Sequence, residues 1–248
     1  MNFILEIIGF NIESCILAQS SGAHRIELCD NPGEGGTTPS YGIIKAAREK
    51  LHIQLYPIIR PRGGDFLYTD EEFGIMKTNV GICKSLGCDG VVIGMLQADG
   101  TVDIKRCRQL VELAYPMEVT FHRAFDRTKD PFQAMEDIIS IGCERILTSG
   151  QQPHALDGVG LIKQLIEKAE ERIIIMPGSG IRSDNIAAVA EKTGAVEFHS
   201  SARIFAGSRM DYTNEVMKEK LERVAVDEKE IKNLIAAMSG NKSSPLSC

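Results

Sequence analysis

Eight short runs rich in Ile, Val and Leu recur along the chain, with a helix-like segment between each pair: "LEII", "RIELC", "IQLYPIIR", "GVVIG", "EVTFH", "RILTS", "RIIIMPG" and "VEFHSS". Strands that alternate with helices pair in parallel under a cover of helices, because the crossover is too long for a hairpin. The helix starts are legible. Thr69 with Glu72 fits a capping box, and Asp130 before Pro131 puts an acceptor at a cap and a proline in the first turn. The helix ends repeat as well. "SGAHRIEL", "LGCDGVVI", "IGCERILT" and "TGAVEFHS" share a glycine, a small residue, a short connector and an apolar strand, which suits a left-handed cap and a tight turn onto the sheet. Eight such units without a break predict an α/β fold, a single (β/α)8 TIM barrel over residues 1–205, with an open doubly wound sheet as the alternative. Residues 206–248 read as a peripheral C-terminal extension: an irregular connection, a polar helix and a frayed "SGNKSSPLSC" end.

A chain of 248 residues that is 43% hydrophobic and 25% charged can bury one large core. Its net charge of -6, with the cations spread among acids, gives no footprint for nucleic acid or an anionic membrane. No basic segment precedes the first apolar run and no run is long enough to span a bilayer, so a cytoplasmic protein is expected. Seven cysteines, an odd number without a secretory signal, predict reduced thiols.

Chemistry in a barrel gathers at the C-terminal mouth of the strands, and the residues closing these runs are unusually polar. They are Glu6; Glu27 and Cys29; Arg60 and Arg62; His122 and Arg123; Ser149; and His199, Ser200 and Ser201. Buried carboxylates need a cation, a metal or several donors, and Arg60 on the next strand is the expected partner of Glu27. His122 and His199 suit general acid–base work or metal ligation. Asp126 could orient an imidazole or Arg123, or cap the following helix. Gly178 and Gly180 in "PGSG", with Ser200 and Ser201, sit where barrels often bind phosphate on free backbone amides. Gly63 and Gly64 in "IIRPRGGDF" can expose amides beside Arg60 and Arg62, with Asp65 placed either to hold one arginine or to open the following loop. Every lysine falls in a helix or helix-start segment, which disfavours Schiff-base chemistry.

Copper(I) prefers closely spaced thiolates or thioethers, and no Cys-x-x-Cys or Cys-x-Cys occurs. Cys88 and Cys143 take the slot that Ala23 and Ala195 fill in sister units, so they read as small apolar fillers. Cys15, Cys83 and Cys107 fall in helices, Cys248 ends the tail, and Cys29 alone closes a barrel strand.

"RIELC" followed by "EGGTTPS", then "IIRPRGGDF", "VTFHRAFD", "RILTSG" and "EFHSSAR", in this order, closely resemble the CutC family of copper homeostasis proteins over about residues 3 to 205. The resemblance implies a (β/α)8 barrel, a cytoplasmic protein, a homodimer and an association with copper tolerance or copper(I) binding, with Cys29 as a metal ligand. Relatives often carry a cysteine directly after the first strand, which would pair with the one in "ELC". This chain has Ile8 and Gly9 there, so Cys29 lacks that partner unless another cysteine, Met95 or Met176 approaches. Three readings stay open: copper handling through Cys29, an acid–base or metal-assisted enzyme on a small anionic substrate, phosphorylated or not, and a barrel that senses such an anion.

Overall fold

The computed structural model describes residues 3–240. Each predicted run contains a strand: β1 (Ile4–Gly9), β2 (Arg25–Leu28), β3 (Gln54–Pro57), β4 (Gly90–Ile93), β5 (Glu118–Phe121), β6 (Arg145–Thr148), β7 (Ile174–Pro177) and β8 (Glu197–Ser200). Two parallel four-stranded ladders, ordered β3-β2-β1-β8 and β4-β5-β6-β7, meet at two seams. At one, Ile58 bridges Val92 in parallel and the Ile59 amide donates to the Val92 carbonyl at 2.8 Å. At the other, Gly178 lies so near β8 that a Cβ on it would stand 3.2 Å from that of His199. The strands follow one another around a closed ring, so the fold is a (β/α)8 barrel and the open-sheet alternative falls.

The helices are α1 (Ile12–Ser20), α2 (Tyr41–Lys50), α3 (Asp70–Ser85), α4 (Ile104–Ala114), α5 (Pro131–Ile141), α6 (Val159–Ala169), α7 (Ile186–Thr193) and α8 (Glu228–Gly240). Thr69 and Glu72 make both bonds of a capping box, and Asp130 accepts from the amides of Phe132 and Gln133. The four joint glycines, Gly22, Gly87, Gly142 and Gly194, all have positive φ. The small residues after them are buried, Cys88 and Cys143 included.

The C-terminal segment is more than a peripheral tail. β9 (Arg203–Ala206) pairs antiparallel with β10 (Arg223–Val226), and the residues between them are exposed. α8 then packs against α1 and α7 with Ile231 and Leu234 fully buried. Its polar composition conceals a stripe of Ile231, Leu234, Ile235 and Met238, spaced i, i+3, i+4 and i+7 as one helix face requires. The expected frayed end lies, from residue 241 onward, outside the described residues.

Strand alternation sorts two cores. Leu5, Ile7, Ile26, Leu28 and Leu55 belong to a large cluster shared with helix residues, whereas Ile8, Cys29, Tyr56, Ile58 and Val92 form a small separate one. The second set shares its strand parity with Glu6, Arg25, Glu27, Arg145, Glu197 and His199, so the barrel interior is largely ionic. Arg25 gives two hydrogen bonds to Glu197, at 2.9 and 2.8 Å, and Arg145 gives one to the same oxygen at 3.1 Å. Arg145 also binds Glu118 at 2.8 Å, and Tyr56 donates its hydroxyl to that carboxylate. The Tyr56 ring lies under both guanidiniums, 4.9 Å from Arg25 and 5.5 Å from Arg145. Gly90 makes the space, since a Cβ on it would come within 2.5 Å of that ring.

A buried cation stripped of its partner is costly. Replacing Glu197 by Gln removes the charge both arginines share, and is expected to lower unfolding stability by about 3–5 kcal/mol in a urea titration. A loss below about 1 kcal/mol would mean the arginines are neutralised elsewhere.

Candidate active site

Strand register places the central residues. Glu6 on β1 lies opposite His199 on β8, and Ile8 lies opposite Glu27 on β2. Glu6 is wholly buried and uses both oxygens: one meets His199 Nδ1 at 2.8 Å, and the other accepts from Arg25 at 3.3 Å. The second nitrogen of His199 faces Glu27 at 3.8 Å.

The protonation states follow from this geometry. Burial pushes the Glu6 carboxyl upward, but the His199 hydrogen bond and the charges of Arg25 and His199 outweigh it and hold it near 2. Burial also works against a charged His199, yet Glu6 and Glu27 raise its pKa. Glu27 goes the other way. Burial and the negative charge of Glu6 push it to about 7, with His199 opposing. Arg25 and Arg145 spend their hydrogen bonds on Glu6, Glu118 and Glu197, so ionising Glu27 would bury a charge with no guanidinium partner.

Glu27 and His199 open on a cavity of about 280 Å³ at the C-terminal mouth, whose lining includes Ile8, Ile58, Phe66, Leu147 and His122, with Arg60, Arg123 and Arg203 around it. A second hollow of about 850 Å³ adjoins it, sharing Gly35, Arg60, Phe66 and Arg123 and adding Arg127. His122 is buried, and its Nδ1 accepts from the Ala124 amide at 3.1 Å while Nε2 has no partner among the described residues. Burial, followed by the nearby charge of Arg60, lowers its pKa to about 3. It is a neutral imidazole throughout the physiological range.

Several residues stand elsewhere than the sequence predicts. Arg60 does not meet Glu27. Its guanidinium donates to the carbonyls of Glu34, Gly36 and Gly64 and stacks 5.1 Å from Phe66. Arg62 is committed to Glu72, Asp65 and the Leu67 carbonyl, so it is no free anion clamp. The Glu34 carboxylate covers the Cβ position of Gly63, whereas Gly64 reaches the larger hollow. Asp126 takes hydrogen bonds from Thr148, the Ser149 amide and hydroxyl, the Gln151 amide and Arg123, which makes it and Ser149 a scaffold that aims Arg123. Gly180 and Ser201 line the cavity. Gly178 instead packs under Leu147 and His199, and Ser200 turns away to bind the Ile181 carbonyl.

Cys29 is wholly buried below Gly36, beside Glu27, and burial followed by the charge of Glu27 drives its pKa well above the ordinary thiol value. Met176 sulfur accepts from Arg25, 3.8 Å away. Glu6, Glu27 and His199 each offer one ligand atom, all within 4.8 Å of one another, and among the described residues this is the one group of three or more acidic, histidine or cysteine ligand atoms that close. Two carboxylates and an imidazole are harder donors than copper(I) selects, and a protonated, covered thiol is no thiolate. The site does not fit that ion.

The CutC family profile matches residues 3–204. The chain belongs to the CutC family. A CutC family protein of Chromobacterium violaceum is 56% identical over 212 residues, covering 86% of each chain. The human copper homeostasis protein cutC homolog is 46% identical over 86% of this chain and 78% of its own. A crystal structure of CutC from Streptococcus agalactiae superposes with a TM-score of 0.75 at 33% identity, over 79% of this chain and 97% of that one.

Within this CutC barrel, reading only the strand ends left out Arg25, Arg145 and Glu197, which sit two residues before Glu27, Leu147 and His199. Period-two alternation was the available signal, since residues two apart face the same side. Arg203, the last letter of "EFHSSAR", was also overlooked; its side chain makes no ion pair or hydrogen bond with the described residues, and it lines the cavity.

Folded Glu27 holds its proton more tightly than its ordinary value of 4.5, so it contributes stability below that value that is lost as pH rises through about 7. The raised His199 acts in the same direction. Stability should therefore fall by roughly 2 kcal/mol between about pH 5 and 8, and Glu27→Gln should flatten the decline in thermal melts. A decline that is unchanged in Glu27→Gln would place the titration on another group.

Proposed function

We propose that this protein shares the role in copper homeostasis for which its relatives are named, and that its barrel site serves as an acid–base site for a small anionic molecule rather than as a thiolate copper chelator. A buried carboxyl poised near neutrality, Glu27, stands 3.8 Å from an imidazole held by a second carboxylate, and both open on a cavity whose lining includes Arg123 and the unpaired Arg203. A base works best when its pKa lies near the operating pH, and a guanidinium free of carboxylate partners suits a carboxylate or phosphate. Glu27 is the proton acceptor, Glu6 orients His199 and raises its pKa, and His199 returns a proton or holds developing negative charge.

The protein is read as cytoplasmic, in keeping with six free cysteines among the described residues and no described helix long and apolar enough to cross a membrane. A homodimer is the assembly that the family resemblance implies.

Inorganic phosphate is expected to bind at the cavity in calorimetry, with Arg203→Ala weakening it at least tenfold, the loss of about one charge-assisted contact. Affinity unchanged in that variant would move the anion elsewhere. In a parallel copper(I) competition titration, Cys29→Ser should leave the bound copper unaltered. Copper lost with that one sulfur would restore the chelator reading.

A further inference from the structure

We propose that His122 is a catalytic electrophile: its Nε2–H donates to the carbonyl oxygen of a small anionic carbonyl compound while Glu27 removes the proton on the adjacent carbon. This rests on the acid–base reading above and names the substrate class and the group that polarises it.

The tautomer is fixed by the backbone. An amide N–H only donates, so the Ala124 amide at 3.1 Å makes Nδ1 an acceptor and leaves the single imidazole proton on Nε2. That nitrogen is buried, has no partner among the described residues and belongs to a ring that lines the cavity with Glu27 and His199. The ring is clamped in place. Gly94 on its flank leaves room for the Nδ1–Cε1 edge, where a Cβ would come within 2.4 Å of both atoms, and Phe66 packs at 5.0 Å on a tilted plane. A buried, unpartnered and neutral donor is poorly matched to a full anion, which Arg123 and Arg203 serve better. It is well matched to one oxygen that gains charge only in the transition state, and the charge of Arg60 nearby favours that gain.

The step balances without a co-reactant. The Glu27 carboxylate takes the α-hydrogen as a proton, the C–H electron pair becomes the new C=C bond, and the carbonyl π pair moves to the oxygen held by His122. Returning the proton from Glu27 restores the carbonyl compound, with the hydrogen exchanged or the carbon inverted.

The test follows deuterium incorporation from D2O into hydroxypyruvate and glycolaldehyde phosphate by proton NMR, with inorganic phosphate binding measured in parallel. Wild-type protein should exchange at least one probe. His122→Ala should slow exchange about 100-fold or more, the effect of losing one such donor, while phosphate affinity stays; His122→Gln, which keeps an N–H, should recover part of the rate. Phosphate binding without exchange of either probe overturns this inference and leaves the anion site standing. Failure of phosphate to bind overturns the reading beneath it. An alanine variant within about threefold of wild type removes His122 from the chemistry. One measurement needs no variant: in 15N-histidine-labelled protein, His122 should show the neutral Nε2–H form from about pH 6 to 8 and shift when hydroxypyruvate is added. An imidazolium, the opposite tautomer or an unmoved signal would overturn the assignment.

Discussion

Arg25 and Arg145 are sealed inside the barrel, and Glu197 between them is what makes that tolerable. One of its oxygens accepts from both guanidiniums, Glu118 and Tyr56 complete the ring below, and Glu6 takes the remaining reach of Arg25. Such an ionic interior contributes little net stability compared with an apolar one. What it does is set the electrostatic level of the layer above. Its arginines help to hold Glu6 ionised, and Glu6 in turn raises the pKa of His199 and adds to the effect of burial on Glu27. The chemistry of the mouth is therefore decided one layer down.

Arg60 plays the corresponding part for the loops. By holding the Glu34, Gly36 and Gly64 carbonyls it staples the loop after β2 to the loop after β3, and its stacking on Phe66 shapes the wall shared by both hollows. Asp126 does the same on the far side, gathering the loop after β6 onto the turn that carries His122 and Arg123. These charged residues sit at strand ends because irregular backbone leaving a barrel carries unpaired carbonyls and amides that need partners.

Much of the fold was legible because its signals are local. Apolar runs, caps such as Thr69 with Glu72, and the glycine joints each depend on a few adjacent residues. Glu6, Glu27, His122 and His199 were legible because they close or line strands that must converge. The partner of Arg60 was not, since backbone carbonyls are present at every residue and leave no mark in the sequence. Arg62 and Arg60 look equivalent in "IIRPRGGDF", yet one turns out to Glu72 and the other in to the loops. α8 was underrated because its composition is polar while its spacing is amphipathic.

The family name points to copper, whereas the donors at the mouth are carboxylates, imidazoles and guanidiniums, with the Cys29 thiol protonated and covered. These meet if the protein acts on a small molecule and touches copper indirectly. Such a role requires Glu27 to hold its proton near neutrality, raised there by burial and by the charge of Glu6. Carbon-13 NMR of protein labelled at glutamate side-chain carboxyls, with Glu27 assigned from its Gln variant, tests this directly. The Glu27 carboxyl should titrate at about 7. Titration at its ordinary value of 4.5 would contradict it.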